Sequence, residues 1–232
     1  MDKVNQDLCF IPKTFLDRLV QKRYSSYVNE RRINVNKRGR PREFDYSSIV
    51  DVAMKTFWIR GYEGCSTQDL CNDTGLGKGS LYNTFGSKHE LYQQVLERYH
   101  EFGIKAQQEL LNAPIALKER LSNFFKWALK EDFENIDQKG CLLIIASVER
   151  AKNDVMVQEI FSRHVELLKQ AIEKVMAEGL QTGEISKGQT AEELASLFLS
   201  SYYGFRVLNV SMQNRMLSEQ IMNGTLESIF GA

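Results

Sequence analysis

Ser66-Thr67-Gln68-Asp69-Leu70-Cys71-Asn72-Asp73-Thr74-Gly75-Leu76-Gly77-Lys78-Gly79-Ser80-Leu81-Tyr82-Asn83-Thr84-Phe85-Gly86 is the stretch whose reading decides the fold. Either hydroxyl of Ser66-Thr67 can cap the free N–H groups of a helix that runs on to Thr74. Gly75 then permits a tight turn through Leu76 and Gly77. A second short helix follows from about Lys78 to Phe85 and stops at Gly86. Two short helices joined by a glycine turn form a helix-turn-helix. Leu70, Leu76, Leu81 and Phe85 are placed to hold the pair together. Lys78, Ser80, Tyr82, Asn83 and Thr84 remain for the outer face, where they offer donors and acceptors to base edges and phosphates. No acidic residue lies between Asp73 and Glu90, so this face does not repel phosphate. Lys88 opens the next helix beside Ser87, where free N–H groups favour an anion.

Helical periodicity extends outward in both directions. Ile49, Ala53, Phe57 and Tyr62 mark a preceding helix from about Asp45 to Arg60, ending at Gly61. Downstream, Leu117, Leu121, Phe124, Phe125, Ala128 and Leu129 form one apolar stripe. Val157, Ile160, Phe161, His164, Leu168, Ala171, Ile172 and Val175 form a longer one. Two more follow, at about 190–210 and 218–230. Pro114 suits a first helical turn, and Thr190 with Glu193 fits a capping box. With no sustained period-2 alternation, the expected class is all-α: a three-helix DNA-binding head followed by a larger helical body. In residues 1–36, Phe15, Leu16, Leu19, Val20, Arg23 and Tyr27 share one helical face. A short amphipathic helix is the plainer reading there, and an extra DNA or partner contact the other.

The chain has 232 residues, 43% hydrophobic and 26% charged, with a formal net charge of +0. Disorder throughout and a uniformly basic coat are both excluded. The zero hides two halves. Residues 1–42 carry 11 basic and 4 acidic side chains, a surplus of +7, and the rest of the chain carries −7. The basic excess peaks at Arg31, Arg32, Lys37, Arg38, Arg40 and Arg42. Residues 43–100 sum to −3, from 5 basic and 8 acidic groups. The arm, rather than the head, therefore holds the charge that attracts phosphate. The longest apolar run, Cys141 to Ala146, is far short of the about 20 residues that span a bilayer. No secretory signal opens the chain. Cys9, Cys65, Cys71 and Cys141 form no CxxC pair, so neither a zinc site nor a disulfide framework is expected. These features point to a cytoplasmic protein without membrane partner, metal or cofactor.

Several linked motifs share one order: Ala53-Met54-Lys55-Thr56-Phe57, Gly61-Tyr62, Ser66-Thr67, Asp69-Leu70, the run from Gly75 to Phe85, and Ser87-Lys88-His89-Glu90-Leu91. Together they resemble the TetR family of bacterial transcriptional regulators, far more specifically than a lone helix-turn-helix would. Arg38-Gly39-Arg40-Pro41 is similar to the arm before this domain in many members. The 36-residue extension is a departure, as is Asn83, which stands where many members have His. The resemblance implies a cytoplasmic homodimer on a palindromic double-stranded DNA operator, with a third helix in each major groove and release by a small-molecule effector. By position, Thr67, Lys78, Tyr82 and Lys88 would touch phosphates, and Ser80, Asn83 and Thr84 would read or approach bases. Arg40 and Arg42 would lie along the backbone or in the minor groove. Packing on the first helix is the alternative for Tyr82, and a solvated lysine the alternative for Lys78 and Lys88. Repression is the family's common mode.

This gives an extension over 1–37, a DNA-binding domain over 38–100, and an effector-binding and dimerisation domain over 101–232. The last two stripes are candidates for a dimer bundle, with Ala195, Ser200, Ser201 and Gly204 allowing close approach, or else they close the monomer core. Trp127, Phe161, His164, Tyr202 and Arg206 are candidates for an effector pocket, although each taken singly reads as core. Cys141 reads first as an inert small residue under the core. A helix N-terminus also favours a thiolate, which leaves a redox- or electrophile-sensing regulator as the alternative. An enzyme is disfavoured: Gly75 to Ser80 lacks the GK[ST] of a phosphate loop, and there is no GxSxG, HExxH or catalytic constellation. A non-specific architectural binder would hold random and operator DNA alike. A partner-binding helical protein would show no DNA affinity at low salt. Deleting residues 1–42 is expected to weaken operator binding and flatten its salt dependence by about 0.9 in log–log slope per lost phosphate contact. Titration at several salt concentrations checks this, and an unchanged slope refutes it.

Overall fold

The computed structural model describes residues 46–134, 140–186 and 188–231. Arg40 and Arg42, the extension and the Asp137–Gly140 break up to residue 139 lie outside the described residues. Nine helices are present among those described: α1 (Tyr46–Gly64), α2 (Thr67–Thr74), α3 (Lys78–Phe85), α4 (Lys88–Leu111), α5 (Leu117–Glu134), α6 (Leu142–Arg150), α7 (Val155–Thr182), α8 (Ala191–Met212) and α9 (Arg215–Phe230). The all-α expectation holds. Among the described residues, no helix is long and apolar enough to cross a membrane.

The ends of these helices follow local chemistry. Ser66, not Thr67, caps α2: its hydroxyl accepts from the Asp69 amide, and the Asp69 carboxylate accepts in return from the Ser66 amide at 2.9 Å. Thr190 and Glu193 form the same reciprocal box at the start of α8. Gly75 ends α2 in the left-handed region, φ 71°, which a side chain would resist. Pro114 departs from expectation. It lies in a turn, and α5 begins only at Leu117. Arg120 reaches back from α5 to the carbonyls of Ile115 and Leu111, so a side chain rather than a helical turn satisfies that stretch.

The body packs α5, α7, α8 and α9 around one core, which includes Leu121, Phe124, Phe125, Leu168, Ile172, Phe198, Phe205, Leu226 and Ile229. Phe125 meets Phe198, Tyr202 and Phe205 edge-on, with centroids 5.0–6.1 Å apart, a geometry that aromatic quadrupoles favour. A charge pair sits inside this apolar shell. Asp132 is 0% exposed and Arg206 3%. Arg206 Nη2 lies 2.8 Å from Asp132 Oδ1, without the alignment of a hydrogen bond. Asn209 Nδ2 donates to Asp132 Oδ2 at 2.7 Å, and Ser218 Oγ donates to Asn209 Oδ1 at 2.5 Å, linking α5, α8 and α9. Asp132→Ala would strand a buried guanidinium, so a loss of about 3–5 kcal/mol is expected in denaturant unfolding. Replacing both partners by apolar residues is expected to recover most of it, and equal losses in the two variants would refute the pairing argument.

Candidate nucleic-acid interface

The head assembles around Phe57, Leu70, Leu76, Leu81, Phe85 and Leu91, all buried. The four residues expected to join the two short helices are among them. That packing presents one face of α3 to solvent: Lys78, Ser80, Asn83 and Thr84 are exposed. Tyr82 is half-buried, and its hydroxyl lies 2.9 Å from Thr67 Oγ1 at the start of α2. Each hydroxyl keeps capacity for a second bond. Lys78 Nζ sits 6.0 Å from the Tyr82 ring centroid. Six of the expected contact residues thus lie on α3 and at the adjoining start of α2. Thr56 fixes α2 from behind, donating to Asp73 Oδ2 at 2.8 Å, and Arg60 pairs with Asp69 at 3.0 Å.

Lys88 is placed differently. Its ammonium donates to the Tyr62 carbonyl at 2.6 Å and stands 4.2 Å from the Tyr62 ring centroid. It therefore braces the end of α1 against the start of α4.

A junction that sequence reasoning did not foresee ties head to body at the same point. Gly61 breaks α1 with φ 70°, ψ 175°, which turns the Tyr62 and Glu63 amides outward. Both donate to one carboxylate, Glu149 of α6, at 2.9 Å each. The neighbouring Arg150 bonds Glu63, donates to Asp154 at 3.0 Å and lies 3.9 Å from the Tyr62 ring centroid. His89 of α4 stands 2.9 Å from Asp154 Oδ2, and Asp154 caps α7 through the Val157 amide. Burial would raise the Asp154 pKa, but the bonds from Arg150 and His89 outweigh it and hold the carboxyl below its ordinary value. The sequence signal was slight: an adjacent Glu-Arg at the end of an apolar helix.

An open apolar cleft of about 360 Å³ adjoins this junction between α6 and α8. Of the candidate pocket residues only Arg206 lines it, together with Cys141, the N-cap of α6. The others lie elsewhere. Trp127 packs on Phe124, Phe161 on Tyr203, and the Tyr202 hydroxyl accepts from Arg206 Nη1 at 3.1 Å and from Gln107 at 3.4 Å. His164 is buried with its Nδ1 3.1 Å from His100 Nδ1, so one ring donates and the other accepts. Among the described residues no group of three His, Cys, Asp or Glu could hold a metal ion.

These observations can be set beside known proteins. The model for bacterial regulatory proteins of the tetR family matches residues 49–95. An uncharacterised helix-turn-helix transcriptional regulator of Bacillus subtilis, YezE, is 30% identical over 152 residues, 66% of this chain and 78% of that protein. The chain belongs to the TetR family. It is a DNA-binding transcriptional regulator. The transcriptional repressor DhaR of Mycobacterium is 28% identical over 182 residues, 78% of this chain and 90% of that protein. Among solved structures, a cysteine mutant of the regulator CifR in complex with 26-base-pair operator DNA is similar, with TM-score 0.72 and 25% identity, covering 82% of this chain and 99% of that one.

The buried histidine pair predicts a fold whose stability falls in acid. Burial, and then the proximity of His100, push the His164 pKa down to about 3. Burial, and then Arg163, lower that of His100, against Glu97 and Glu101. A base with a depressed folded pKa binds fewer protons folded than unfolded. Its stability contribution is therefore whole above the unfolded value near 6.5 and is lost as pH falls toward 3. Unfolding free energy is expected to drop by up to about 1.4 kcal/mol per pH unit for His164 below that point. His164→Asn should flatten the profile between pH 6.5 and 5, and an equal slope in the variant would refute the assignment.

Proposed function

We propose that the chain is a homodimeric repressor that binds a palindromic operator through α3 and leaves it when a small molecule occupies the helical body. The observation that carries this is the solvent-facing surface of α3, where Lys78, Ser80, Asn83 and Thr84 stand together with no carboxylate among them. Ser80, Asn83 and Thr84 face base edges in the major groove. Lys78, Thr67 and the Tyr82 hydroxyl meet phosphates, which fix register without reading sequence. Lys88 acts behind this surface by steadying the α1 end, and Arg40 and Arg42 of the basic arm supply phosphate neutralisation. The head over 38–100 and the body over 101–232 divide these tasks.

Dimerisation is assigned to α8 and α9. The solvent side of α8 carries Ser196, Ser200, Gly204, Val207 and Ser211 at helical spacing, all exposed, which permits close approach of a second helix pair. Repressor is preferred to activator because DhaR is named a repressor. A thiol-sensing mode through Cys141 is secondary: the side chain is 8% exposed under the α6 N-terminus.

Fragments of the source genome retained at physiological salt give the test. A palindromic site beside the chain's own gene is expected, and equal retention of random DNA would refute sequence-specific recognition. On that site Asn83→Ala should cost about 1–3 kcal/mol and relax preference at one base pair. Lys78→Ala should weaken all sequences alike and lower the salt slope by about 1.

A further inference from the structure

Glycine is disfavoured against alanine inside a helix, since the bare residue loses more backbone freedom on folding. Some glycines are nonetheless needed by the fold. A Cβ on Gly179 of α7 would stand 2.5 Å from Leu117 and 2.8 Å from Ile185. Gly79, the second residue of α3, meets no such need. Its φ is outside the left-handed region, it is exposed, and a Cβ there would meet no atom within 4 Å. Gly77, the N-cap of α3, is equally unobstructed. The other helical glycines in open space are Gly64, which closes α1, and Gly204 and Gly224 of α8 and α9, the helices assigned above to a second copy.

The place of Gly79 on α3 suggests what it serves. Residues four apart share a row along a helix. Three rows make up the outer face: Lys78 with Tyr82, Gly79 with Asn83, and Ser80 with Thr84. The middle row carries a side chain at one position only. A helical side chain leans back over the turn before it, so Asn83 and the bare Gly79 serve one patch of any surface laid against α3.

The N-terminal residues of a recognition helix meet base edges in the major groove. A Cβ at position 79 would stand between the α3 backbone and that edge and hold the helix off by the size of a methyl group. A hydrogen bond from Asn83 to its base tolerates only about 2.7–3.2 Å, so such a displacement breaks it.

We propose that Gly79 is a specificity-determining residue: its bare Cα seats directly against the edge of one operator base pair and sets the depth at which Asn83 reaches its base. This rests on the reading of α3 as the base-reading helix. Gly79 touches no phosphate in this arrangement, so its effect belongs to sequence preference and not to general affinity for DNA.

The full chain and its Gly79→Ala variant are titrated with the palindromic site selected above and with random duplex of equal length. Gly79→Ala is expected to melt no lower than the unaltered chain, because alanine is the better helix former. Its operator affinity should fall about tenfold, while its affinity for random DNA changes by less than about twofold. Asn83→Ala should cost about tenfold in the unaltered chain but less than about twofold when Gly79→Ala is already present, since the amide then no longer reaches its base. Undiminished operator affinity in Gly79→Ala, an equal loss on random DNA, or a lower melting temperature with loss of α3 structure would each overturn the proposal. So would an Asn83 effect that is absent in the unaltered chain or undiminished in the double variant. An unaltered chain that prefers the operator no more than random DNA refutes the base-reading role of α3 itself. Preference kept by both the unaltered chain and Gly79→Ala refutes only this inference.

Discussion

Two backbone amides have to be satisfied where α1 breaks. Gly61 takes a conformation no helix continues through, and the N–H groups of Tyr62 and Glu63 leave the helical ladder. One carboxylate from a distant helix, Glu149, accepts both. By accepting from both amides, that one carboxylate joins α6 to the end of α1. Lys88 of α4 on the Tyr62 carbonyl and Arg150, also of α6, over its ring complete the joint. Thr56 and Arg60 of α1 in turn hold α2 through Asp73 and Asp69, so this joint is linked to the helix pair that presents α3.

The body uses opposite chemistry for a similar end. Its core is aromatic and aliphatic, but the Asp132, Arg206 and Asn209 cluster runs through it and meets Ser218 of α9. Such a cluster adds little net stability over an apolar core. It does fix which face of α8 turns inward. The same arginine also lines the α6–α8 cleft. Asp154 has a comparable place at the joint: a single carboxylate caps α7 and engages both α4 and α6.

Helix existence, the capping box at Thr190, the glycine turn and the buried set Leu70, Leu76, Leu81 and Phe85 were legible along the chain, because each depends on residues within a few positions of one another. So was the exposed face of α3. Where the reading went astray, a distant group had intervened. Lys88 was read from its place at a helix N-terminus, and its bond to the end of α1 was not visible there. Pro114 looked like a first-turn residue, but Arg120 allows the turn to continue to Leu117. Trp127, Phe161 and Tyr202 come from three helices and are linked through Phe124 and Tyr203, while His164 faces His100, relations no local pattern shows.

The sequence by itself determined an all-helical chain with a DNA-reading helix-turn-helix behind a basic arm. Periodicity, capping and charge segregation are local properties, readable without knowing what packs on what. Only the tertiary structure decided that Glu149 would hold the head, that His164 would face His100, and that Arg206 and Cys141 would share a cleft beside Gly61. Those pairings join residues from 64 to 87 positions apart, and no local pattern encodes a partner so distant. They are selected by the packing of α4, α6, α7 and α8, which brings together groups that water would otherwise keep separate.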